Sequence, residues 1–314
     1  MTVGEINQGA GAIVSAVESV IVGKRDTVRK AVATLLAGGH VLLEDIPGVG
    51  KTTMAKALAK SIGGEFRRIQ FTPDLLPADV TGSAIFNQKT SEFEFRPGPI
   101  FGNVVLVDEI NRSTPKTQSA LLEAMEERQV TTDGVTRALP KPFFVIATQN
   151  AIEMTGTYPL PEAQLDRFFT RLSIGYPDRA SEIAVLGART TEQPLDALQP
   201  VTNLEKLTAM QEGVREVFVH ERIREYVVDL VRATRESNQL MMGASPRGAL
   251  HLMRAAQAWA AVEGDDRVLP DHVKAMAPAV LAHRVIGRAE LRTQGQTTDD
   301  LVKKLVESVK APTT

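Results

Sequence analysis

The sequence of 314 residues contains no cysteine. This absence excludes disulfides, thiolate catalysis and cysteine-ligated zinc sites, and it suits the reducing environment of the cytoplasm, where we expect the protein to act. The five histidines lie too far apart to have the spacing of a metal site, so we interpret them as ordinary surface or core residues. The sequence also shows no internal repeat and no low-complexity tract.

Neither sign of charge dominates, because 36 lysines and arginines are balanced by 38 aspartates and glutamates, and the net charge is −2. We therefore expect no nucleic-acid partner and no membrane-surface partner. No apolar run approaches the length of a membrane span. The amino-terminal segment lacks both the basic and the apolar part of a secretory signal. A chain of this length can form two domains, each with its own core.

Residues 45–52 have the pattern of a phosphate-binding loop. An apolar run precedes them at 41–43 and a helical pattern follows at 54–59, and this strand-loop-helix order distinguishes a true loop from a chance match. In such loops the backbone N–H groups surround the β-phosphate, the lysine reaches the β- and γ-phosphates, and the threonine hydroxyl binds Mg²⁺. We therefore expect ATP and Mg²⁺ as cofactors, bound by Pro47, Gly48, Val49, Gly50, Lys51, Thr52 and Thr53.

A second segment supplies the acids that such a loop needs. The aliphatic residues at 104–107 are typical of a strand buried on both faces of a parallel sheet. Asp108 and Glu109 follow at its carboxyl end, where ligands bind in such sheets. We expect Asp108 to hold Mg²⁺ through water and Glu109 to polarise the attacking water. The alternative is a pair of solvated acids at a strand end, but the matched phosphate loop favours nucleotide hydrolysis.

Helix-like and strand-like segments alternate up to about residue 177, and the pattern is helical afterwards. This order predicts an α/β fold of the P-loop NTPase type, with a five-stranded, mainly parallel sheet flanked by helices and followed by a smaller all-α domain. The predicted divisions are 1–177 for the α/β domain, 178–200 for a helix and polar connection, and 201–314 for the helical domain. The predicted strands are 41–44, 66–70, 104–108, 143–148 and 172–175.

Further motifs stand at 107–112, 147–150, 165–168 and 245–247, in that order after a first motif at 44–52. Together they resemble the MoxR family of AAA+ ATPases over nearly the whole chain. Members typically carry aspartate where the first loop glycine would be, as Asp45 does here, and we expect the turn at Pro47 and Gly48 to supply the bend. The resemblance also implies that Val22 and Gly23 border the adenine.

The resemblance assigns roles to four further side chains. Asn150 is similar to the sensor 1 residue that orients the attacking water. Arg167 resembles the arginine finger that enters a neighbouring subunit's ATP site, and Arg171 is an alternative that could point from the same helix face. Arg247 resembles the sensor 2 arginine of the helical lid. It stands at the start of a helix, where a cation is locally unfavourable.

Two predicted hairpins interrupt the pattern. The first joins 84–86 to 92–96 and is expected to interrupt a helix, and the second joins 129–132 to 135–138 around Asp133 and Gly134, a strong hairpin signal. They resemble the helix-2 insert and the pre-sensor 1 hairpin of one AAA+ branch, in which they face the central pore or the upper ring surface. The alternative is that they only decorate the sheet.

The resemblance implies a homo-hexameric ring that uses Mg-ATP to remodel or mature a partner protein complex, as a chaperone does. It also implies a partner carrying a von Willebrand factor A domain. Three other functions remain open at this point: the ATPase subunit of a metal chelatase, a nucleic-acid motor, and a nucleotide switch without hydrolysis. Glu109 disfavours the switch, and a motor should show a basic stripe.

Overall fold

The structure is a computed structural model that describes residues 1–150, 156–188, 194–290 and 295–312. Its strands are β1 (Val41–Glu44), β2 (Phe66–Gln70), β3 (Gly82–Asn87), β4 (Glu92–Pro97), β5 (Val104–Asp108), β6 (Gln129–Thr132), β7 (Val135–Ala138), β8 (Phe144–Gln149), β9 (Thr170–Leu172), β10 (Leu240–Met242) and β11 (Ile286–Gly287).

Its helices are α1 (Val3–Glu18), α2 (Arg25–Leu36), α3 (Lys51–Ser61), α4 (Pro77–Thr81), α5 (Pro115–Glu127), α6 (Glu162–Leu165), α7 (Arg179–Ala188), α8 (Pro194–Ala197), α9 (Leu204–Arg215), α10 (Glu221–Glu236), α11 (Pro246–Glu263), α12 (Pro270–Leu281) and α13 (Thr298–Ser308). Single 3-10 turns occur at Ile110–Arg112 and Ala282–Arg284. Within the described ranges, no helix combines the length and the apolarity needed to cross a membrane.

One parallel sheet of five strands, in the order β2-β5-β8-β1-β9, forms the centre of the molecule and confirms the predicted fold class. All residues of β5 are buried, which explains why this strand is aliphatic without alternation. Because parallel strands end at the same edge, the residues that follow β1, β5 and β8 come together there. The candidate site lies at this edge.

The last strand of the sheet lies earlier in the chain than the predicted range 172–175. β9 covers Thr170–Leu172 and pairs with the first three residues of β1. Since β1 ends at Glu44, the residues after Leu172 have little strand left to pair with. Instead, residues 173–175 bind the carboxylate of Asp45.

Both predicted hairpins are present. In the second, β6 pairs with β7, and Asp133 and Gly134 have positive φ angles of 54° and 74°, as a two-residue type I′ turn requires. In the first, β3 pairs with β4. It follows α4 but leads through the irregular residues 98–103 directly into β5, so it does not interrupt a helix as predicted. The Ala84 N–H donates to the Asp133 carboxylate at 3.3 Å, so the two hairpins touch.

The hydrophobic core has two parts, one on each face of the sheet, because successive residues of a strand point to opposite faces. Val105 and Val107 belong to the part that α5 covers. Val104 and Leu106 belong to the larger part, which includes α1, α2 and α3 and continues into α9 to α13. The sheet and the carboxyl-terminal helices therefore share a continuous core.

Candidate nucleotide-binding site

The loop between β1 and α3 has the backbone of a phosphate cradle. Gly48 and Gly50 have φ angles of 85° and 96°, which residues with a Cβ rarely adopt. Gly50 is the N-cap of α3, so the unpaired N–H groups and the positive end of the helix dipole lie at the loop. Thr52 and Thr53 follow in the first turn of α3 and are half-buried. This arrangement suits an anion such as a nucleotide phosphate.

Lys51 connects the loop to a neighbouring strand. Its Nζ donates to the Asp45 carbonyl oxygen at 3.0 Å and to the Asn150 Oδ1 at 3.2 Å. Burial lowers the pKa of Lys51, while the charges of Asp45, Asp108 and Glu109 oppose that shift. The ammonium group therefore lies among oxygen acceptors and near the predicted metal ligand Asp108 and the predicted catalytic base Glu109, a position from which it can reach phosphate oxygens.

The structure explains the aspartate at the first loop position. The Asp45 side chain is buried, and its carboxylate accepts hydrogen bonds from the Ser173 Oγ at 2.9 Å, the Ile174 N–H at 2.5 Å and the Gly175 N–H at 3.0 Å. A glycine could accept none of them. Asp45 thus ties the start of the phosphate loop to the chain after β9, a role that sequence reasoning missed. The only sequence feature that pointed to this role was the aspartate at a position where phosphate loops usually have glycine.

Asp108 ends β5 and is buried. Its Oδ2 accepts from the Arg68 Nε at 2.7 Å, and its Oδ1 accepts from the Thr148 Oγ at 3.3 Å. Thr148 also accepts from the Glu109 N–H at 2.9 Å, so one hydroxyl on β8 orients both acidic residues. Sequence reasoning did not identify Arg68 or Thr148, because their roles depend on which strands are neighbours.

Glu109 has the left-handed backbone conformation, with a φ of 58°, which is strained for a residue with a side chain. Its Oε2 accepts from the Gln70 Nε2 at 3.1 Å and from the Arg112 guanidinium at 2.9 Å. Gln70 lies opposite Asp108 in the β2-β5 register. Two polar side chains therefore hold the Glu109 carboxylate at the edge of the sheet, in the cluster of side chains that also contains Lys51.

Hard cations such as Mg²⁺ prefer oxygen ligands. Thr52 offers a hydroxyl, and Asp108 offers carboxylate oxygens beside the phosphate loop. Although Arg68 and Thr148 each bond to one oxygen of Asp108, each carboxylate oxygen can accept more than one bond. These residues fit a magnesium ion in their chemistry.

Arg167 and Arg247 meet at a different place. Both pair with Glu126 near the end of α5, at 3.4 Å for the Arg167 Nε and 2.7 Å for an Arg247 guanidinium nitrogen. One carboxylate therefore brings together the predicted finger and the predicted sensor 2 residue, although 80 positions separate them in the sequence. Sequence reasoning missed Glu126, which has no local pattern to distinguish it.

Arg171 does not share a helix face with Arg167, as the four-residue spacing had predicted. Arg167 follows α6, and Arg171 lies in β9 because the chain changes from helix to strand between them. Arg171 forms ion pairs with Glu44 at 2.9 Å and with Asp299 of α13. Its charge is thus used to join the sheet to the carboxyl-terminal helix.

The segment predicted to border the adenine adjoins the phosphate loop. Gly23 has a φ of 76°, and a Cβ on it would lie 2.2 Å from the Ser181 Oγ, so only glycine fits there. The buried Ile21 side chain lies 3.5 Å from the position of a Cβ on Gly50. Val22 is 37% exposed. The Ile21 side chain therefore lies beside the loop at Gly50.

Comparison with known proteins agrees with this geometry. The sequence pattern of the ATPase family associated with various cellular activities (AAA) matches residues 40–170, and that of the AAA lid domain matches residues 232–305. The chain is 53% identical to the protein YeaC of Bacillus subtilis, over 96% of this chain and 94% of that protein. It is 41% identical to chaperone MoxR1 of Mycobacterium tuberculosis, over 94% of this chain and 80% of the relative.

A solved structure is similar over the whole length. The crystal structure of a candidate ATPase from Cytophaga hutchinsonii superposes with a TM-score of 0.91 at 37% identity, covering 98% of this chain and 96% of the other. The two family patterns fall on the parallel sheet and on the carboxyl-terminal helices, which form the AAA and lid parts. The chain belongs to the MoxR family of AAA+ ATPases.

Proposed function

We propose that the protein hydrolyses Mg-ATP by direct attack of water on the γ-phosphorus. The observation that carries this proposal is the contact of Lys51 with Asn150 at 3.2 Å, at the sheet edge that also bears Asp108 and Glu109. A phosphate-binding lysine, a metal-binding acid, a candidate base and an amide that can orient water are the groups that this reaction needs.

In this mechanism the N–H groups of the loop and the Lys51 ammonium bind the phosphates, with the segment from Pro47 to Thr53 around them. Thr52 and Asp108 would hold Mg²⁺, which would neutralise charge on the phosphates. Glu109 accepts a proton from the attacking water, and Asn150 orients that water. Gln70 and Arg112 both bind the Oε2 of Glu109 and hold the carboxylate in place, and its Oε1 is the oxygen that accepts the proton. Val22 and Gly23 border the base.

We further propose that Arg167 is supplied to a neighbouring subunit in a homo-hexameric ring. Arg167 and Arg247 both pair with the Glu126 carboxylate. Two guanidinium groups that converge on one anion can also bind the oxygens of a γ-phosphate, so this geometry supports a joint role for the two arginines. Arg171 is less suited, since it is already bonded to Glu44 and Asp299. We also propose that the domains divide at 1–177, 178–200 and 201–314.

We propose that hydrolysis drives chaperone-like remodelling of a partner protein. A relative that covers most of the chain is named a chaperone. The first hairpin presents Phe86 and Phe93, which are 50% and 74% exposed and in edge contact at 5.3 Å, as a pair able to contact an apolar client segment. The family resemblance supports a partner with a von Willebrand factor A domain.

Two variants test the chemistry. Lys51→Ala should lose ATP affinity, because the ammonium binds phosphate in the ground state. Glu109→Gln should bind ATP but fail to hydrolyse it, because the amide cannot accept the proton. The measurements are nucleotide titration and phosphate release, with Glu123→Gln on the exposed side of α5 as a matched control that keeps both properties. Hydrolysis by Glu109→Gln at the rate of the unmodified protein would contradict the assigned base.

A further inference from the structure

Arg284 is a buried arginine in the lid, at the end of the 3-10 turn that follows α12. Its side chain is 1% exposed. The Nε donates to the Asp166 carboxylate at 2.8 Å, and the two terminal nitrogens donate to the backbone carbonyls of Asp166 at 3.1 Å, Phe168 at 2.5 Å and Phe169 at 3.2 Å. One guanidinium group therefore binds four acceptors in a single short segment.

That segment, residues 166–169, contains Arg167 and is called the finger segment below. The carbonyls that Arg284 binds flank Arg167 on both sides, while the Arg167 side chain itself is 32% exposed and points to Glu126. The lid thus holds the backbone of the finger segment and leaves its arginine accessible. The same lid carries Arg247, the second cation at Glu126.

Neighbouring side chains support this arrangement. The His283 Nε2 lies 3.1 Å from the Phe168 carbonyl, and the His251 Nδ1 lies 2.5 Å from an Arg284 nitrogen. Burial lowers the pKa of His251 to about 3, and the charge of Arg284 contributes to the shift. Burial also lowers the pKa of Arg284 to about 10, against the effect of Asp166, so it remains a cation at neutral pH. With His251 neutral, its ring nitrogen can accept from the guanidinium.

We propose that Arg284 is a positioning residue for the arginine finger: it fixes the finger segment to the lid of its own subunit so that Arg167 is aimed at the ATP site of the next one. This inference rests on the proposed role of Arg167 in a neighbouring site. Movements of the lid then carry Arg167 and Arg247 together. Only a planar group with several donors can bind these acceptors at once, and the single ammonium of a lysine cannot.

A complementation assay separates this role from simple support of the fold. Arg284→Lys should bind ATP as the unmodified protein does and turn it over about 10–100-fold more slowly, since a misplacement near 1 Å can cost such a factor. Its own Glu109 is intact. Mixed with Glu109→Gln, which carries an intact finger segment, it should regain turnover at interfaces where the second variant supplies the finger. Mixed with Arg167→Ala, it should regain none, because every finger is then defective.

The matched control is Arg235→Lys, which alters a lid arginine that donates to the Ala244 carbonyl at 2.8 Å and should retain turnover within about twofold. Thermal unfolding and ring size are measured for every variant. If Arg284→Lys does not fold, Asp166→Asn weakens the same contact with the arginine retained, and it should show the same complementation pattern.

Three results would overturn the inference. The first is turnover by Arg284→Lys, or by the substitute Asp166→Asn, within twofold of the unmodified protein. The second is that the folded variant gains no turnover when it is mixed with Glu109→Gln, while Arg167→Ala mixed with Glu109→Gln recovers. That result would leave the neighbouring-site finger standing and remove only the role of Arg284. The third is that Arg167→Ala itself fails to recover in confirmed mixed rings, which would remove both proposals.

Discussion

Replacing Asp45 with the glycine that phosphate loops usually carry should destabilise this protein. The Asp45 carboxylate is the acceptor for the Ser173 hydroxyl and for the N–H groups of Ile174 and Gly175. Glycine at this position would remove all three bonds and leave the N–H of the buried residue Ile174 without its carboxylate partner. The chain after β9 would then lose its connection to the phosphate loop.

The size of the effect follows from the three contacts. A hydrogen bond to a charged group contributes about 1.5–3 kcal/mol, and bonds within one cluster do not add fully. Relief of the buried charge offsets part of the loss, so we expect Asp45→Gly to lower the free energy of unfolding by about 3–5 kcal/mol. Asp45→Asn keeps an acceptor oxygen but loses the charge, and it should cost about 1.5–3 kcal/mol.

Urea denaturation measures these values, followed by the fluorescence of the single tryptophan, Trp259, which is buried in α11. Asp229→Asn, on an exposed position of α10, is the matched control and should change the free energy by less than about 0.5 kcal/mol. If Asp45→Gly unfolds at the same urea concentration as the unmodified protein, the carboxylate does not stabilise the loop, and the reasoning from its hydrogen bonds is refuted.

The remaining predictions concern the ring, the metal and the second hairpin. Arg167→Ala should bind ATP and hydrolyse it about 10³–10⁵-fold more slowly, and mixing it with Glu109→Gln should restore turnover once labelled protomers confirm exchange; no recovery would reject a finger supplied by the neighbour. EDTA should stop hydrolysis and Mg²⁺ or Mn²⁺ should restore it, so activity in EDTA would contradict the assigned metal ligands. A short Gly-Ser link in place of residues 131–136 should preserve ATP affinity and abolish stimulation by a client protein, whereas lost ATP binding would show a structural role.

Local sequence patterns were sufficient for much of the fold. The strand β5 was predicted within its observed bounds because burial on both faces requires an unbroken aliphatic run. The turn of the second hairpin was predicted because Asp133 and Gly134 tolerate the positive φ angles that it needs. In each case the residues that form the sequence pattern are the same residues whose backbone conformation the pattern predicts.

Predictions failed where a distant partner decided the local structure. The last strand was placed at 172–175, but the Asp45 side chain, more than 120 positions earlier, binds residues 173–175 outside the sheet. The expectation that Arg167 and Arg171 share a helix face assumed a continuous helix. Instead, Arg171 lies in a strand, because β9 pairs with β1. Neither partner could be identified from the sequence around the segment concerned.

The sequence by itself determined the phosphate loop, the acidic pair and the order of helices and strands, because each depends on residues that are adjacent in the chain. Only the tertiary structure decided that Glu126 joins Arg167 to Arg247, and that Arg284 holds the finger segment from 115 to 118 positions away. Such contacts arise from the packing of the lid against the sheet. No periodicity, turn signal or capping pattern encodes them, because the free energy that selects them belongs to the folded chain as a whole.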